Sequence, residues 1–197
     1  MGLATRHAPV MLLIAAFSRH GAALDWARQR AVDAWGPIAL ESERFLFAET
    51  RYYEPTMGPG LRKVFFSFQQ PVEPDQLADI KLMTNAWEDE YAKLLHVPPA
   101  DQGAASQATE PRPLNLDPGY LTLGKLVLAS TKDFAHRIYL SRGIFAEVTL
   151  QYRHQRWQHH DYTFADYRRA DYQAFFSECR EAVKKMRDEG GGPKDRG

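Results

Sequence analysis

The sequence predicts an α+β protein in which a largely antiparallel sheet is covered by helices. Short apolar or aromatic runs of strand length alternate with longer segments of helical periodicity. A hairpin pattern within residues 135–152 requires two neighbouring antiparallel strands. Hydrophobic residues make up 44% of the chain and charged residues 25%, the proportions of an ordinary globular protein. These three observations together indicate one mixed, folded domain.

The chain length of 197 residues fits a single domain, which we predict over residues 1–188. Composition changes abruptly at residues 98–112, which are rich in Ala, Gln and Pro and have no periodicity. This segment is predicted to be a flexible loop inside the domain. The glycine-rich C-terminus predicts a disordered tail at residues 189–197.

The N-terminal half begins with an apolar run at residues 10–17. Pro9 precedes this run and Ser18-Arg19-His20 follows it, without a small-residue cleavage site, which favours a buried strand over a signal peptide. The next predicted elements are a helix at residues 21–35 that ends at Gly36-Pro37, strands at 38–48 and 61–69, and a helix at 74–95.

The C-terminal half is predicted to start with a strand at residues 113–117. Asp117 and Pro118 suit the first turn of a helix, so residues 121–130 are predicted to be helical, although Gly119 and Gly124 also allow a strand. Strands at 135–140 and 144–152 and a helix at 171–186 complete the chain. The order of the first six elements is that of a ferredoxin-like core, to which the C-terminal hairpin and helix are added.

The hairpin register follows from the alternation of side chains across a strand. A two-residue loop at Ser141-Arg142 would place Glu147 on the same face as Ile138, whereas a three-residue loop ending at Gly143 keeps that face apolar. The three-residue loop predicts two pairs, Leu140 with Ile144 and Ile138 with Ala146. It also places Arg137 directly across from Glu147, in a polar patch of the sheet.

Charge and motifs exclude several classes of protein. Lys plus Arg and Asp plus Glu both number 25, so nucleic-acid binding is not favoured. The chain has a single cysteine, Cys179, which predicts a cytoplasmic protein with an inert, packed thiol. No apolar run is long enough to span a membrane, so no membrane partner is predicted. Phosphate-binding, dinucleotide-binding and serine-hydrolase motifs are absent from the sequence. Neither a cofactor nor an oligomeric state is predicted.

Polar residues concentrate between residues 115 and 149, and this cluster predicts a site for an anionic, phosphorylated small molecule. The ligand-binding candidates are Asn115, Lys125, Lys132 and Arg137, joined by Tyr52 and Tyr53 of a loop that would close over the site. The candidates for acid–base catalysis are Asp117, His136 and Glu147. The alternative interpretation is structural: a helix cap at Asp117, an ion pair on the sheet, solvated lysines, and tyrosines that only pack their loop.

His154, His159 and His160 are close in sequence, but their spacing does not match a metal-binding motif. We interpret them as part of a polar surface hairpin and predict no metal site.

The central block of the chain resembles a known family. Residues 115–133 (NLDPGYLTLGKLVLASTKD), 136–140 (HRIYL) and 143–150 (GIFAEVTL), with YTFADYR at 162–168, are similar to the bacterial domain-of-unknown-function 4416 family. The likeness runs from about Pro9 to Phe176. It implies a family but no activity, so the resemblance assigns no catalytic residues.

Three functions remain open at the level of sequence. The first is binding of, or catalysis on, an anionic small molecule by the polar cluster. The second is a non-catalytic protein-interaction or scaffolding role for the aromatic segments. The third and weakest is an RNA-associated role, since aromatic residues on a ferredoxin-like sheet stack bases in other proteins.

Overall fold

A computed structural model describes residues 3–96 and 110–189 of the chain. Most of the predicted flexible loop, residues 98–109, and residues 190–197 of the predicted tail lie outside the described residues.

The described residues form nine strands, four α-helices and two short 3-10 helices. The strands are β1 (Met11–Ser18), β2 (Ile38–Glu41), β3 (Phe45–Leu46), β4 (Arg62–Phe68), β5 (Asn115–Leu121), β6 (Lys125–Ser130), β7 (Ile138–Ser141), β8 (Ile144–Arg153) and β9 (Arg156–His159). The helices are α1 (Gly21–Trp35), α2 (Glu54–Met57), α3 (Leu77–His96) and α4 (Ala170–Glu189), with 3-10 turns at Pro74–Gln76 and Ala165–Arg168.

All nine strands belong to one antiparallel sheet, which confirms the predicted α+β class. The strand order is β2-β4-β1-β5-β6-β8-β7, while β3 pairs with β4 and β9 pairs with β8. The ferredoxin-like core stays a prediction, because a third strand and a short helix interrupt the segment between β2 and β4.

Helices cover the central strand β1 on both faces, so all eight of its residues are buried. Leu12 and Ile14 point to the side packed against α1 and α3. Leu13 and Ala15 point to the opposite side, which packs against α4. This two-sided burial explains why the strand is a continuous apolar run rather than an alternating one.

The predicted helix at residues 121–130 is wrong. These residues form the end of β5, a turn and β6, so Asp117 lies within a strand and caps no helix. No helix begins directly after Pro118-Gly119, so no helix N-terminus lies in this part of the chain. The residues Leu126 to Ala129 are all buried because the sheet is covered on both faces, and periodicity cannot distinguish such a run from a buried helix.

The hairpin confirms one predicted pair and contradicts the other. Ile138 pairs with Ala146, but Ser141 instead of Leu140 pairs with Ile144, because a bulge at Leu140 shifts the register. The predicted apolar face is buried only on its β8 side: Ile144 is 1% exposed, whereas Ile138 on β7 is 74% exposed. Strand β7 is last in the strand order, so its apolar side chains lie at the edge of the sheet.

Candidate functional site

The strands β5 and β6 separate on one side of their short ladder and open a cleft in the sheet. Their pairing ends at Gly119 and Leu128. The next residue of β5, Pro118, has no amide hydrogen with which to continue the ladder. Beyond this point Asp117 pairs only with β1 and Ser130 only with β8. A cavity of about 590 Å³ occupies the opening, a size within the usual range of small-molecule sites.

The cavity is lined by strands β4, β5, β6 and β8, by helix α3, and by the segments before β4, β5, β7 and α4. The charged lining residues are Glu49, Lys63, Lys81, Arg112, Asp117, Lys132, Arg137, Glu147 and Asp166. The other lining residues used below are Phe47, Tyr52, Tyr53, Asn85, Asn115, Ser130, Thr131, Phe134, Phe164 and Tyr167.

One wall contains a buried ion pair. The Nζ atom of Lys63 lies 2.5 Å from Oδ2 of Asp166, and the two side chains are only 3% and 6% exposed. The ammonium also lies 4.7–5.0 Å from the ring centres of Phe17, Phe47 and Tyr167. This pair connects the centre of the sheet to the 3-10 turn that precedes α4.

A second network joins β5 to helix α3. Lys81 donates to the Leu116 carbonyl at 2.7 Å and to Oδ1 of Asp117 at 3.2 Å. Asn115 donates to Oδ2 of the same carboxylate at 2.9 Å and accepts from Arg112. Both oxygens of Asp117 are therefore occupied by donors, which holds this carboxylate in one orientation.

A third network lies across the cleft, on β6, on β8 and on the segment that leads into β7. Nε of Arg137 donates to Oε2 of Glu147 at 2.8 Å, and the two side chains are only 3% and 2% exposed. The guanidinium also donates to Ser130 Oγ at 2.7 Å and to the Lys132 carbonyl at 2.9 Å. His136 lies 3.1 Å from the same carboxylate oxygen. The predicted Arg137–Glu147 pair is thus confirmed, but it is buried in the wall of a cavity.

The exposed end of the cavity is formed by Lys132 and Tyr52. Nζ of Lys132 donates to the Tyr52 hydroxyl at 3.1 Å and lies 4.9 Å from the ring centre. The hydrogen bond and charge of Lys132 lower the pKa of Tyr52. Tyr53, by contrast, packs its ring against Phe17 and Phe47, and burial raises its pKa.

The charges in the cavity are almost fully paired. Glu49 pairs with Arg169, Asp117 with Lys81, Glu147 with Arg137, Asp166 with Lys63, and Arg112 with Glu88. Within residues 3–96 and 110–189, Lys132 is the lining cation that has no carboxylate within ion-pair distance. The unbalanced charge of the cavity is therefore positive and lies at its mouth.

Burial and the neighbouring charges together determine whether the carboxyl group of Asp117 is ionised. Burial by itself would raise the pKa of this carboxyl, but the charges of Lys81, Lys63 and Arg112 outweigh burial, and the pKa lies below its usual value. In the unfolded chain the pKa of an aspartate is about 3.9. Folding therefore favours the carboxylate form.

We expect Asp117→Asn to destabilise the protein by about 1.5–3 kcal/mol at pH 7, the usual contribution of hydrogen bonds to a charged group. The amide keeps the shape but places a donor against the donor of either Lys81 or Asn115. Because the folded pKa is depressed, the contribution of the carboxylate is fully present above about pH 4 and is lost as the pH falls through the folded value.

Urea unfolding of both proteins from pH 7 down to pH 3 measures this difference. Burial raises the pKa of Glu88, and the charge of Asp117 raises it further, so the comparison is repeated in a Glu88→Gln background to separate the two carboxyl groups. A difference that stays constant over the whole pH range would contradict the assignment.

Seven of the predicted site residues come together in the cavity. They are Asn115, Asp117, Lys132, Arg137, Glu147, Tyr52 and Tyr53. His136 does not line the cavity but contacts Glu147 and stacks on the ring of Tyr162 at 4.1 Å. Lys125 lies at the other end of β6, where it pairs with Gln151 of β8, and it does not line the cavity.

The sequence interpretation missed the cations that the cavity takes from outside the central block. Lys63 lies within an aromatic strand, and Lys81 lies on the buried face of α3, where Glu88 follows two turns later. A charged residue in a buried strand or on an apolar helix face is an informative signal, since such groups are buried only when paired. Asp166 was indicated only by the resemblance of the YTFADYR segment to the family, which is a weaker signal than a buried charge.

The remaining predictions concern metals, membranes and the cysteine. His159 lies on the β8–β9 hairpin, as predicted. In the part of the chain that the structure describes, no three or more His, Cys, Asp or Glu side chains are grouped to hold a metal ion. No helix in that part is long and apolar enough to cross a membrane. Cys179 is a buried free thiol, and burial raises its pKa to about 12.

Comparison with known proteins places the chain in a family. Neither the curated proteins nor the solved structures contain a significant match. The model of a family described as a domain of unknown function, DUF4416, matches residues 8–182, a span that includes every residue lining the cavity. The chain therefore belongs to the DUF4416 family.

Proposed function

We propose that the protein binds an anionic, phosphorylated small molecule in the cavity between β5 and β6. The observation that carries this proposal is the unpaired charge of Lys132 at the mouth, next to the guanidinium of Arg137. Glu147, Ser130 and the Lys132 carbonyl hold that guanidinium in place. An ammonium without a carboxylate partner beside a fixed guanidinium suits a phosphate, whose oxygens accept several hydrogen bonds.

The surroundings of Lys132 support the same ligand class. Thr131 and Ser130 contribute hydroxyl donors, and the Tyr52 phenol lies on the other side of the ammonium. An incoming anion would compete with Tyr52 for the lysine, which is a small loss because the phenol is 67% exposed and can bind water. Partial burial of the site strengthens charge pairing relative to open water.

Acid–base chemistry on the bound molecule is a further part of the proposal. Asp117 on β5 and Glu147 on β8 line the cavity from the two sides of the cleft. Nearby cations outweigh burial and hold the pKa of Asp117 below its usual value, so this carboxylate would act as a proton acceptor. His136 would act through Glu147, as a residue that positions the carboxylate.

Two exposed features support the alternative, a protein-interaction role. Edge strand β7 presents Ile138 and Tyr139 at 74% and 57% exposure, and Phe134 beside it is 50% exposed. Apolar edge strands are sites at which partner strands add to a sheet. For the RNA-associated alternative, Phe145 is only partly exposed, so Tyr139 is the available stacking ring. The proposed compartment is the cytoplasm, because the lone cysteine is a free thiol.

The test uses a matched pair of lysines on and next to the same strand. We expect a phosphorylated ligand at 100 times its Kd to stabilise wild type by about 2.7 kcal/mol, a rise of about 5–10 °C in Tm. Lys132→Met should abolish this rise, because it removes the charge but keeps the apolar stem. Lys125→Met should keep it, because Lys125 is outside the cavity.

The measurement is a thermal-shift assay with inorganic phosphate, sugar phosphates and nucleotides. Equal shifts in the two variants would place the ligand elsewhere on the molecule. The absence of any shift in folded wild type would reject the proposal and favour the interaction role of β7.

A further inference from the structure

The cavity is lined by most of the aromatic side chains that the protein leaves exposed. In the part of the chain that the structure describes, the exposed Phe and Tyr side chains are Tyr52, Phe134, Tyr139 and Phe164. Three of them, Tyr52, Phe134 and Phe164, line the cavity, and their exposed fractions are 67%, 50% and 50%. Large apolar groups that stay exposed around one opening indicate a binding surface, because the fold itself does not bury them.

Two of these rings lie against the cations of the proposed phosphate site. The Lys132 ammonium lies 4.9 Å from the centre of the Tyr52 ring, and Cζ of Arg137 lies 4.8 Å from the centre of the Phe134 ring. A ligand whose phosphate binds Lys132 and Arg137 therefore has aromatic side chains next to the rest of its atoms.

The third ring, Phe164, belongs to a segment that is fixed beside the same wall. The hydroxyl of Thr163 donates to the Thr149 carbonyl of β8 at 2.7 Å. The ring of Tyr162 stacks at 4.1 Å on His136, which belongs to the segment that leads into β7. Within the described residues, the ring of Phe164 contacts no other aromatic ring and no cation. This half-exposed ring is therefore available to a ligand.

A flat aromatic group matches these rings better than a chain of hydroxyls does. Hydroxyls placed against a ring lose hydration without gaining a hydrogen bond, which is unfavourable. The base of a nucleotide instead stacks through its faces and keeps its polar atoms at its edge. That edge can bind water or the carboxamide of Asn85, which lines the cavity and makes no side-chain hydrogen bond within the described residues.

We infer that the ligand is a nucleotide, whose phosphate binds Lys132 and Arg137 and whose base stacks on Phe164. This inference rests on the proposed function and adds the chemistry of the other end of the ligand. A free nucleotide fits better than a nucleic-acid strand, because the formal net charge of the chain is zero. The cavity volume of about 590 Å³ also suits one small molecule.

The experiment compares phosphates with and without a base by isothermal titration calorimetry. The ligands are AMP, GMP, CMP and UMP, with ribose 5-phosphate as the molecule that lacks the base. We expect the tightest mononucleotide to bind wild type at least about tenfold more tightly than ribose 5-phosphate, because stacking of one base on an aromatic side chain has an effect of this size. Inorganic phosphate measures the contribution of the anionic end alone.

Two variants that each remove an exposed ring locate the base. Phe164→Ala should weaken the tightest mononucleotide by about tenfold and leave ribose 5-phosphate unchanged, since only the stacking surface is lost. Tyr139→Ala is the matched control, because this ring is exposed to a similar degree, 57%, but does not line the cavity. It should leave both affinities unchanged. Thermal unfolding without ligand checks that both variants are folded.

The outcomes separate the inference from the proposed function. Equal affinity of wild type for ribose 5-phosphate and for all mononucleotides would overturn the inference but leave the anion site standing. A nucleotide preference that survives Phe164→Ala, or that Tyr139→Ala removes equally, would also overturn it. Tighter binding of a single-stranded RNA of about eight nucleotides than of any mononucleotide would overturn it in favour of the RNA-associated role. If none of these phosphates binds, the anion site itself fails, and the inference fails with it.

Discussion

Lys63→Met is expected to destabilise the protein by about 3–5 kcal/mol, the cost of removing one partner of a buried ion pair. The substitution leaves Asp166 as an uncompensated carboxylate whose side chain is only 6% exposed. Methionine fills a similar volume among the rings of Phe17, Phe47 and Tyr167, so the loss should arise from charge and not from a cavity. Urea unfolding at pH 7 gives the change in the free energy of unfolding.

The double variant Lys63→Met/Asp166→Leu is the control for this assignment. Replacing both members of a buried ion pair by apolar side chains is often neutral or stabilising, so the double variant should recover most of the lost stability. If the double variant is as unstable as Lys63→Met, the loss comes from packing. A cost below about 1 kcal/mol for Lys63→Met would show that the pair is solvated, as surface pairs are.

Gly119→Ala is expected to cost about 3 kcal/mol or more, above the usual range for an overpacked site. A Cβ at this position would lie 2.2 Å from the Val127 carbonyl oxygen and 2.7 Å from Leu128. The carbonyl belongs to the backbone of β6 and cannot rotate away as a side chain can. Strands β5 and β6 would therefore have to separate at the last pair of their ladder, which is the inner edge of the cavity.

Gly124→Ala is the matched control, since it makes the same change in the turn between these two strands. No atom lies within 4 Å of a Cβ at this position, and its backbone is outside the left-handed region. The substitution should be neutral or stabilise by about 0.4–1 kcal/mol through the unfolded chain. Thermal unfolding of both variants measures the difference. Equal Tm values for Gly119→Ala and Gly124→Ala would show that the close approach does not exist in solution.

Both changes act on the same feature, the cleft where β5 leaves β6. Gly119 allows the two strands to touch, and the ladder does not extend to Pro118, the residue before Gly119. The separation opens the cavity that Lys63 and Asp117 line. We therefore expect Gly119→Ala to weaken ligand binding slightly in addition to lowering stability, because the walls of the cavity would shift relative to each other.

Much of the fold could be predicted from local patterns. The helix at Gly21–Trp35 and the buried strand β1 follow from the spacing of apolar residues and from the Gly36-Pro37 stop signal. The hairpin near residue 142 and its ion pair between Arg137 and Glu147 follow from the alternation of side chains along a strand. Each of these inferences uses residues that are near each other in the chain.

The errors arose where burial or distant contacts decided the result. The run from Leu126 to Ala129 is apolar because helices cover both faces of β6, and the same run in isolation also fits a helix. The bulge at Leu140 is set by the pairing of the edge strand with β8. Neither the cover on both faces of β6 nor the bulge at Leu140 can be inferred from the neighbouring residues of the chain alone.

The sequence by itself determined the α+β class, most elements, and seven residues of the cavity, because these depend on periodicity and on polar groups that are close in the chain. Only the tertiary structure decided which charges neutralise one another. Lys63 and Asp166 are 103 residues apart, and Lys81 and Asp117 are 36 residues apart. Such pairs form because a buried charge needs a partner, wherever the fold brings one within reach. The same pairing leaves Lys132 as the unbalanced charge at the mouth of the cavity.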